Sequence, residues 1–153
     1  MRFLELKVPP VAVVAVAALL MWVIASVLSS LDLPLPGRVP AAIAAVLVGF
    51  LISVAGVVEF RRAETTVNPL KPEAASSLVA GGIYRLSRNP MYLGFALALL
   101  GWGIFLANPV SLAVLFVFVF YMNRFQIVPE ERALESLFGE EFAAYRSKVR
   151  RWL

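Results

Sequence analysis

The sequence predicts an all-α integral membrane protein with about four transmembrane helices in a single domain, residues 1–153. Of its 153 residues, 61 % are hydrophobic, whereas a soluble domain usually has about 45–50 % apolar residues. The mean hydropathy is +0.84, and the apolar residues concentrate in four long runs separated by polar stretches. These observations exclude an ordinary soluble globule.

The first two runs predict the first two membrane spans. Residues 11–31 carry no charge, and at about 1.5 Å per residue they are long enough to cross a hydrocarbon core of about 30 Å. Because no cleavage site of small residues precedes Asp32, we expect a span and not a removed leader. A connector rich in proline and glycine, residues 32–40, leads to the second span at residues 41–58.

The third and fourth runs predict a helical hairpin in the C-terminal half of the chain. Residues 91–107 and 110–128 are apolar and are separated by Asn108-Pro109, a dipeptide typical of turns. The first arm is barely long enough to span, so a re-entrant hairpin is an alternative. An amphipathic helix is then expected to open at residues 129–131 and to close at Gly139.

The positions of the cations predict the orientation. The N-terminus, the loop of residues 61–90 and the C-terminal residues 129–153 are rich in Lys and Arg, whereas only Arg38 lies on the opposite side. By the positive-inside rule, both termini and this loop are cytoplasmic, in the inner membrane if the source is bacterial. We expect the net charge of +4 to face membrane lipid headgroups and not nucleic acid.

Small residues recur every three or four positions on two of the predicted spans. They are typical of helices that pack closely in lipid, where the hydrophobic effect does not drive helix association. A seam lining a substrate tunnel is the alternative interpretation. The residues are Ala41, Ala45, Gly49, Ser53 and Gly56 on the second span, and Gly94, Ala98 and Gly101 on the third.

Two polar clusters lie at the cytoplasmic ends of the predicted hairpin. Asn89 is placed to cap a helix and Pro90 suits its first position, so its N–H groups beside Arg88 favour an anion. At the other end, Glu130 and Glu131 offer carboxylates. Two acids at a helix start are also common as complements of the helix dipole. Because the hairpin folds back, both clusters reach one membrane face, where they suit a zwitterionic, nucleotide-like ligand.

The polar blocks, taken in order, resemble the isoprenylcysteine carboxyl methyltransferase family, which is related to the phospholipid methyltransferases. The resemblance covers about residues 60–153 and is nearest to the short bacterial members. It is carried by residues 78–84, 88–94, 130–134, 138–139 and 145, which read LVAGGIY, RNPMYLG, EERAL, FG and Y.

The resemblance implies an S-adenosyl-L-methionine cofactor at the cytosolic membrane face. Family contacts carried over one by one place the cofactor on Ser76, Ser77, Leu78, Val79, Tyr84, Asn89, Pro90, Met91, Tyr92 and Glu131, and Glu130 is added as the other member of the acidic pair. The chain departs from the family twice. Asn89 replaces a usual histidine, and Ile127 stands where the eukaryotic prenylcysteine enzymes have a substrate arginine.

These departures shape the expected acceptor, a lipophilic small molecule. With no His or Cys, no imidazole or thiolate is available to deprotonate a neutral nucleophile or to bind zinc. A carboxylate acceptor is therefore favoured, with Arg124 or Arg88 as the catalytic residues that hold it. Prenylcysteine itself is not favoured. The alternatives are a phospholipid-type N-methyltransferase, an NADPH-dependent sterol-type reductase and a non-catalytic membrane subunit.

Overall fold

A computed structural model describes residues 5–65, 68 and 70–153, and these residues form helices without any strand. The five α-helices are α1 (Pro10–Val27), α2 (Arg38–Arg62), α3 (Pro90–Leu106), α4 (Pro109–Tyr121) and α5 (Val128–Lys148). Short 3₁₀ turns lie at Ser29–Leu31, Pro72–Ala74 and Gly82–Arg85. The predicted all-α membrane fold is confirmed.

Three of the helical rods described are long and apolar enough to cross a membrane: α1, α2 and the continuous 40-residue rod Pro109–Lys148. Helix α3 is also apolar but has 17 residues, which corresponds to about 25 Å. The second span is longer than the predicted 41–58, because Gly37 takes a left-handed conformation (φ 75°) and α2 begins directly after it.

The helix predicted to open at residues 129–131 is present, since α5 begins at Val128 with Pro129 in its first turn, but it continues directly from α4. A π-helical segment, Met122–Ile127, joins α4 to α5 without a break. Proline lacks an N–H and clashes with the carbonyl four residues earlier, here that of Phe125. The wider π turn accommodates this position, and the Phe125 carbonyl instead accepts a hydrogen bond from Leu6 N at 3.0 Å. At Gly139 the backbone is non-helical (φ 48°), but the helix resumes beyond it.

The small residues of α2 and α3 face one another. A Cβ atom added to Gly49 would lie 2.5 Å from the Gly94 carbonyl oxygen, and one added to Gly101 would lie 2.8 Å from the Ala42 carbonyl oxygen. Ser53 Oγ donates to the Met91 carbonyl at 3.2 Å. The seam is thus filled by backbone contact, which confirms the packing interpretation over a tunnel.

Helix α3 lies at the centre of the bundle and contacts α1, α2 and α4. Met21, Met122 and Ile127 are fully buried in the core around it. By contrast, large apolar side chains such as Phe116 and Phe120 are about 70 % exposed, as expected of surfaces that face lipid. The membrane-spanning part of the long rod is therefore its apolar half, residues 109–128.

The predicted turn at Asn108-Pro109 is confirmed. Ala107 ends α3 in a left-handed conformation, and the Asn108 side chain accepts hydrogen bonds from Val110 N and Ser111 N at the start of α4. Its amide also donates to the Leu28 carbonyl at 3.0 Å. This asparagine therefore joins the end of α1 to the tip of the hairpin formed by α3 and α4.

Candidate active site

A cavity lies where the end of α2, Asn68, the loop of residues 70–89, the start of α3 and the first half of α5 meet. Including its open mouth, it encloses about 830 Å³. Its walls are mostly apolar and aromatic, and the charged residues described among them are Arg88, Glu130 and Glu131. This is the usual composition of a small-molecule site, in which a few polar groups fix the orientation of a ligand.

Most residues selected from the sequence line this cavity. The hairpin brings the start of α3 and the start of α5 together, as expected. The lining includes nine of the eleven expected cofactor contacts and one of the two expected catalytic residues: Ser77, Leu78, Val79, Tyr84, Asn89, Met91, Tyr92, Glu130, Glu131 and Arg88.

Two expected cofactor contacts do not line the cavity. Ser76 is exposed on the loop, where its N–H donates to Thr65 Oγ1 at 2.9 Å. Pro90 is buried at the first position of α3. Because proline has no N–H to donate, its place suits helix initiation.

Asn89 occupies the N-cap position of α3, but its side chain does not cap the helix. The side-chain amide donates instead to the Arg151 carbonyl at 3.0 Å. The capping role expected for Asn89 is therefore wrong. The first-turn N–H groups of α3 have no acceptor within the helix. The Asn89 side chain does not supply one.

A compact ion network closes one side of the cavity. Glu131 Oε1 accepts from Arg88 Nη2 at 2.7 Å, and Glu131 Oε2 accepts from Arg151 Nη2 at 2.6 Å. The side chains of Arg88 and Glu131 are only 10 % and 12 % exposed. The two guanidinium groups hold the pKa of Glu131 below its usual value against the opposing effect of burial, so Glu131 is a fixed anion.

Glu130 has a different environment. Its Oε1 accepts from the Tyr92 hydroxyl at 2.5 Å and from Gln126 Nε2 at 2.7 Å. None of the Lys and Arg residues that the structure describes forms an ion pair with Glu130, and burial raises its pKa to about 7. Adjacent carboxyl groups thus differ in charge state near neutral pH, because one has cationic partners and the other has neutral ones.

Arg124 lies outside the residues that line the cavity. Its Nη1 atom donates to Glu5 Oε1 at 2.9 Å, and its guanidinium lies over the Phe125 ring. Glu5 also pairs with Arg132. Arg124 therefore holds the segment before α1 against the π-helical segment, and it is not brought together with Arg88.

Sequence reasoning missed several walls of the cavity. Phe60 at the end of α2 packs edge-on against Tyr84, with ring centroids 5.5 Å apart, and the Tyr145 hydroxyl donates to the Tyr84 carbonyl at 2.7 Å. Phe142 is 1 % exposed. A signal for it exists, since Leu134, Phe138 and Phe142 follow at four-residue spacing and continue the apolar face beyond Gly139.

Comparisons with known proteins identify the family. The family model for phospholipid methyltransferase matches residues 38–141. The chain belongs to the phospholipid methyltransferase family. The match runs from the first residue of α2 into α5, and it contains both ends of the hairpin and both glutamates of the cavity.

Individual relatives point the same way. The chain is 35 % identical over 105 residues to protein-S-isoprenylcysteine O-methyltransferase A of Arabidopsis thaliana, which covers 68 % of this chain and 53 % of that protein. It is 40 % identical over 82 residues to protein-S-isoprenylcysteine O-methyltransferase of Saccharomyces cerevisiae, covering 52 % and 33 %. The predicted family resemblance is confirmed.

A short bacterial relative also matches. An uncharacterized protein of Haemophilus influenzae is 46 % identical over 63 residues, which are 41 % of this chain and all of that protein. The chain spans about half the length of the Arabidopsis relative and a third of the yeast one. No solved structure gives a significant match.

Proposed function

We propose that the chain is an S-adenosyl-L-methionine-dependent methyltransferase that works at the membrane surface on a lipophilic small molecule. The observation that carries the proposal is the cavity, in which the start of α3 and the start of α5 place Asn89, Tyr92, Glu130 and Glu131 around one space. Membership of the family and the O-methyltransferase names of the relatives support it.

The residues present suit a cofactor that carries a carboxylate at one end and positive charge and hydroxyl groups elsewhere. The free N–H groups at the start of α3 and the helix dipole favour an anion. Arg88 Nε is buried without a hydrogen-bond partner among the described residues, which leaves a donor for a ligand. Glu130 and Glu131 supply acceptors for hydroxyls or for a positive centre.

When bound, this cofactor supplies a methyl group activated by a positively charged sulfur. Transfer of that group would gain chiefly from alignment of the reacting atoms. In this chain, the aromatic walls formed by Phe60, Tyr84 and Phe142 would shield a bound cofactor from water. The ion-paired Glu131 and the hydrogen-bonded Glu130 hold polar acceptors in fixed positions.

For the acceptor, a lipophilic carboxylate remains the first proposal, because it is ionised at neutral pH and requires no base. Apolar contacts along the membrane helices would hold its tail, at about 0.8 kcal/mol for each buried CH₂ group. The proposal leaves Arg124 without a role in binding, since its partner is Glu5. Arg88, which lines the cavity, then takes the role of holding the acceptor head.

One observation favours a second candidate, a neutral amine as in phospholipid N-methylation. No Lys or Arg among the described residues pairs with Glu130, and its pKa of about 7 suits a general base. In that reaction the methyl group supplied by the cofactor would add to the nitrogen. The proton of the resulting ammonium then passes to the Glu130 carboxylate.

The deciding experiment is a transfer assay with labelled S-adenosyl-L-methionine and a matched acceptor panel. The panel contains a long-chain acid, its amine and thiol analogues, phosphatidylethanolamine and a prenylcysteine. We expect label on the acid. Label on the amine or on phosphatidylethanolamine alone would replace the carboxylate proposal with N-methylation. Binding of NADPH in place of the S-adenosyl compound would support the reductase alternative and refute the proposal.

The Glu131→Gln variant tests the cofactor site directly. It keeps the size of the side chain and removes the charge, so cofactor affinity should fall by about 1.5–3 kcal/mol if a charge-assisted hydrogen bond is lost. The control is Glu140→Gln, an exposed position on α5. Equal affinities of the two variants in calorimetry would contradict the assigned role of Glu131.

A further inference from the structure

The segment that follows α5, residues 149–152, is tied to the start of α3 by its backbone. The Arg150 carbonyl accepts from Arg88 N, and the Arg151 carbonyl accepts from the Asn89 side-chain amide, each at 3.0 Å. Trp152 Nε1 donates to Asn123 Oδ1 at 3.1 Å. This C-terminal segment therefore crosses between the two halves of the hairpin beside the cavity.

The side chain of Arg151 reaches back to a cavity residue. Its Nε donates to Glu131 Oε1 at 3.1 Å and its Nη2 donates to Glu131 Oε2 at 2.6 Å. Two bonds from one planar group to both oxygens of a carboxylate fix the rotation of that carboxylate as well as its place. Arg88 adds one bond to Oε1 and cannot by itself set this rotation.

The network leaves Glu131 able to bind a ligand. A carboxylate offers about four acceptor positions, and the described residues use three of them, one from Arg88 and two from Arg151. Glu131 lines the cavity. The remaining position is thus held in a set direction by Arg151, a residue that does not itself line the cavity.

We propose that Arg151 is a positioning residue of the cofactor site, acting through Glu131. The inference rests on the proposed function, because it assigns the free acceptor position of Glu131 to the cofactor. Anchoring of the C-terminal segment does not depend on the guanidinium. The backbone bonds to Arg88 and Asn89 and the Trp152 contact involve other atoms.

The neighbouring residue provides a matched control. Arg150 lies in the same segment, its side chain is exposed, and it forms no ion pair with a residue that the structure describes. Arg150→Ala and Arg151→Ala therefore remove the same charge from the same segment and retain its backbone hydrogen bonds. A loss restricted to Arg151→Ala separates orientation of Glu131 from general attraction by positive charge.

The experiment measures Kd for S-adenosyl-L-methionine by calorimetry on the purified full-length chain, with the thermal midpoint recorded for each variant. We expect Arg151→Ala to weaken binding at least tenfold and Arg150→Ala to change it less than twofold. Arg151→Lys keeps the charge without the two-point geometry, so it should fall between them. In a Glu131→Gln background, adding Arg151→Ala should weaken binding less than twofold further.

Equal binding by the Arg151→Ala and Arg150→Ala variants would overturn the inference and leave the proposed function standing. The same holds if Arg151→Ala and Glu131→Gln each reduce the affinity and the double variant shows the product of the two reductions. If Arg151→Ala does not fold, the Arg151→Lys variant decides by the same comparison. If the unmodified chain binds no S-adenosyl compound, the proposed function fails, and the inference fails with it.

Discussion

The raised pKa of Glu130 makes the stability of the protein depend on pH in a defined direction. In the folded chain the pKa is about 7, against 4.5 for an ordinary glutamate, and the difference corresponds to about 3 kcal/mol. The folded state thus binds this proton more tightly than the unfolded state does. The stabilisation is fully present below pH 4.5 and is lost as the pH rises through about 7.

The Glu130→Gln variant removes this titration and retains acceptor and donor capacity toward Tyr92 and Gln126. Relative to Glu140→Gln, an exposed substitution on the same helix, it should gain stability as the pH increases from 5 toward 8, by up to about 3 kcal/mol. Denaturant unfolding in a mild detergent, followed by tryptophan fluorescence at several pH values, measures the difference.

The same group links cofactor binding to pH. A positively charged ligand in the cavity favours the ionised form of Glu130, so binding releases a proton and affinity should increase as the pH rises through about 7. Calorimetry in two buffers of different ionisation enthalpy detects the proton. Parallel stability curves for the Glu130→Gln and Glu140→Gln variants, or binding without proton release, would refute this reasoning.

Other predictions follow from packing, ion pairing and charge placement. Gly94→Ala should destabilise the fold by about 1–3 kcal/mol in thermal or denaturant unfolding, because the new methyl group meets α2; Ala44→Leu on the exposed face of the same helix pair should not. Arg124→Ala should leave turnover unchanged and lower the thermal midpoint slightly; a raised acceptor KM would instead place it at the acceptor. Because the chain has no Cys, a cysteine at Ser147 should be labelled from the cytoplasmic side and one at Ser30 from the outside; the reverse pattern would invert the topology.

The membrane architecture was predictable because it depends on local properties that add along the chain. A run of apolar residues between charged stretches has few alternatives to a helix in lipid, and Asn108-Pro109 marks its turn. The proximity of the start of α3 to the start of α5 was predictable for the same reason, since a turn between two helices returns the chain to the membrane face that it left. This is why Tyr92 and Glu130 meet.

The pairing of charges was not predictable. The chain has 14 Lys and Arg residues, and nothing local indicates that Arg151, twenty positions beyond Glu131, is its partner. The capping role of Asn89 was predicted from its position alone, whereas its side chain donates a hydrogen bond to the C-terminal segment. The π-helical segment also escaped prediction, although Pro129, four residues after Phe125, marks where the hydrogen-bond ladder has to change.

Because the rod from Pro109 to Lys148 is unbroken, the number of residues between its lipid-facing half and its carboxylates also sets the direction in which the carboxylates point. In an α-helix, successive side chains differ in direction by about 100°. The π turn at Met122–Ile127 therefore determines how the side chains of α5 are rotated relative to those of α4. Removal of a single residue from α4 would leave the span almost as long as before, yet turn Glu130 and Glu131 by about a quarter of a circle. Within α4 the chain is therefore less tolerant of insertions and deletions than its surface loops are.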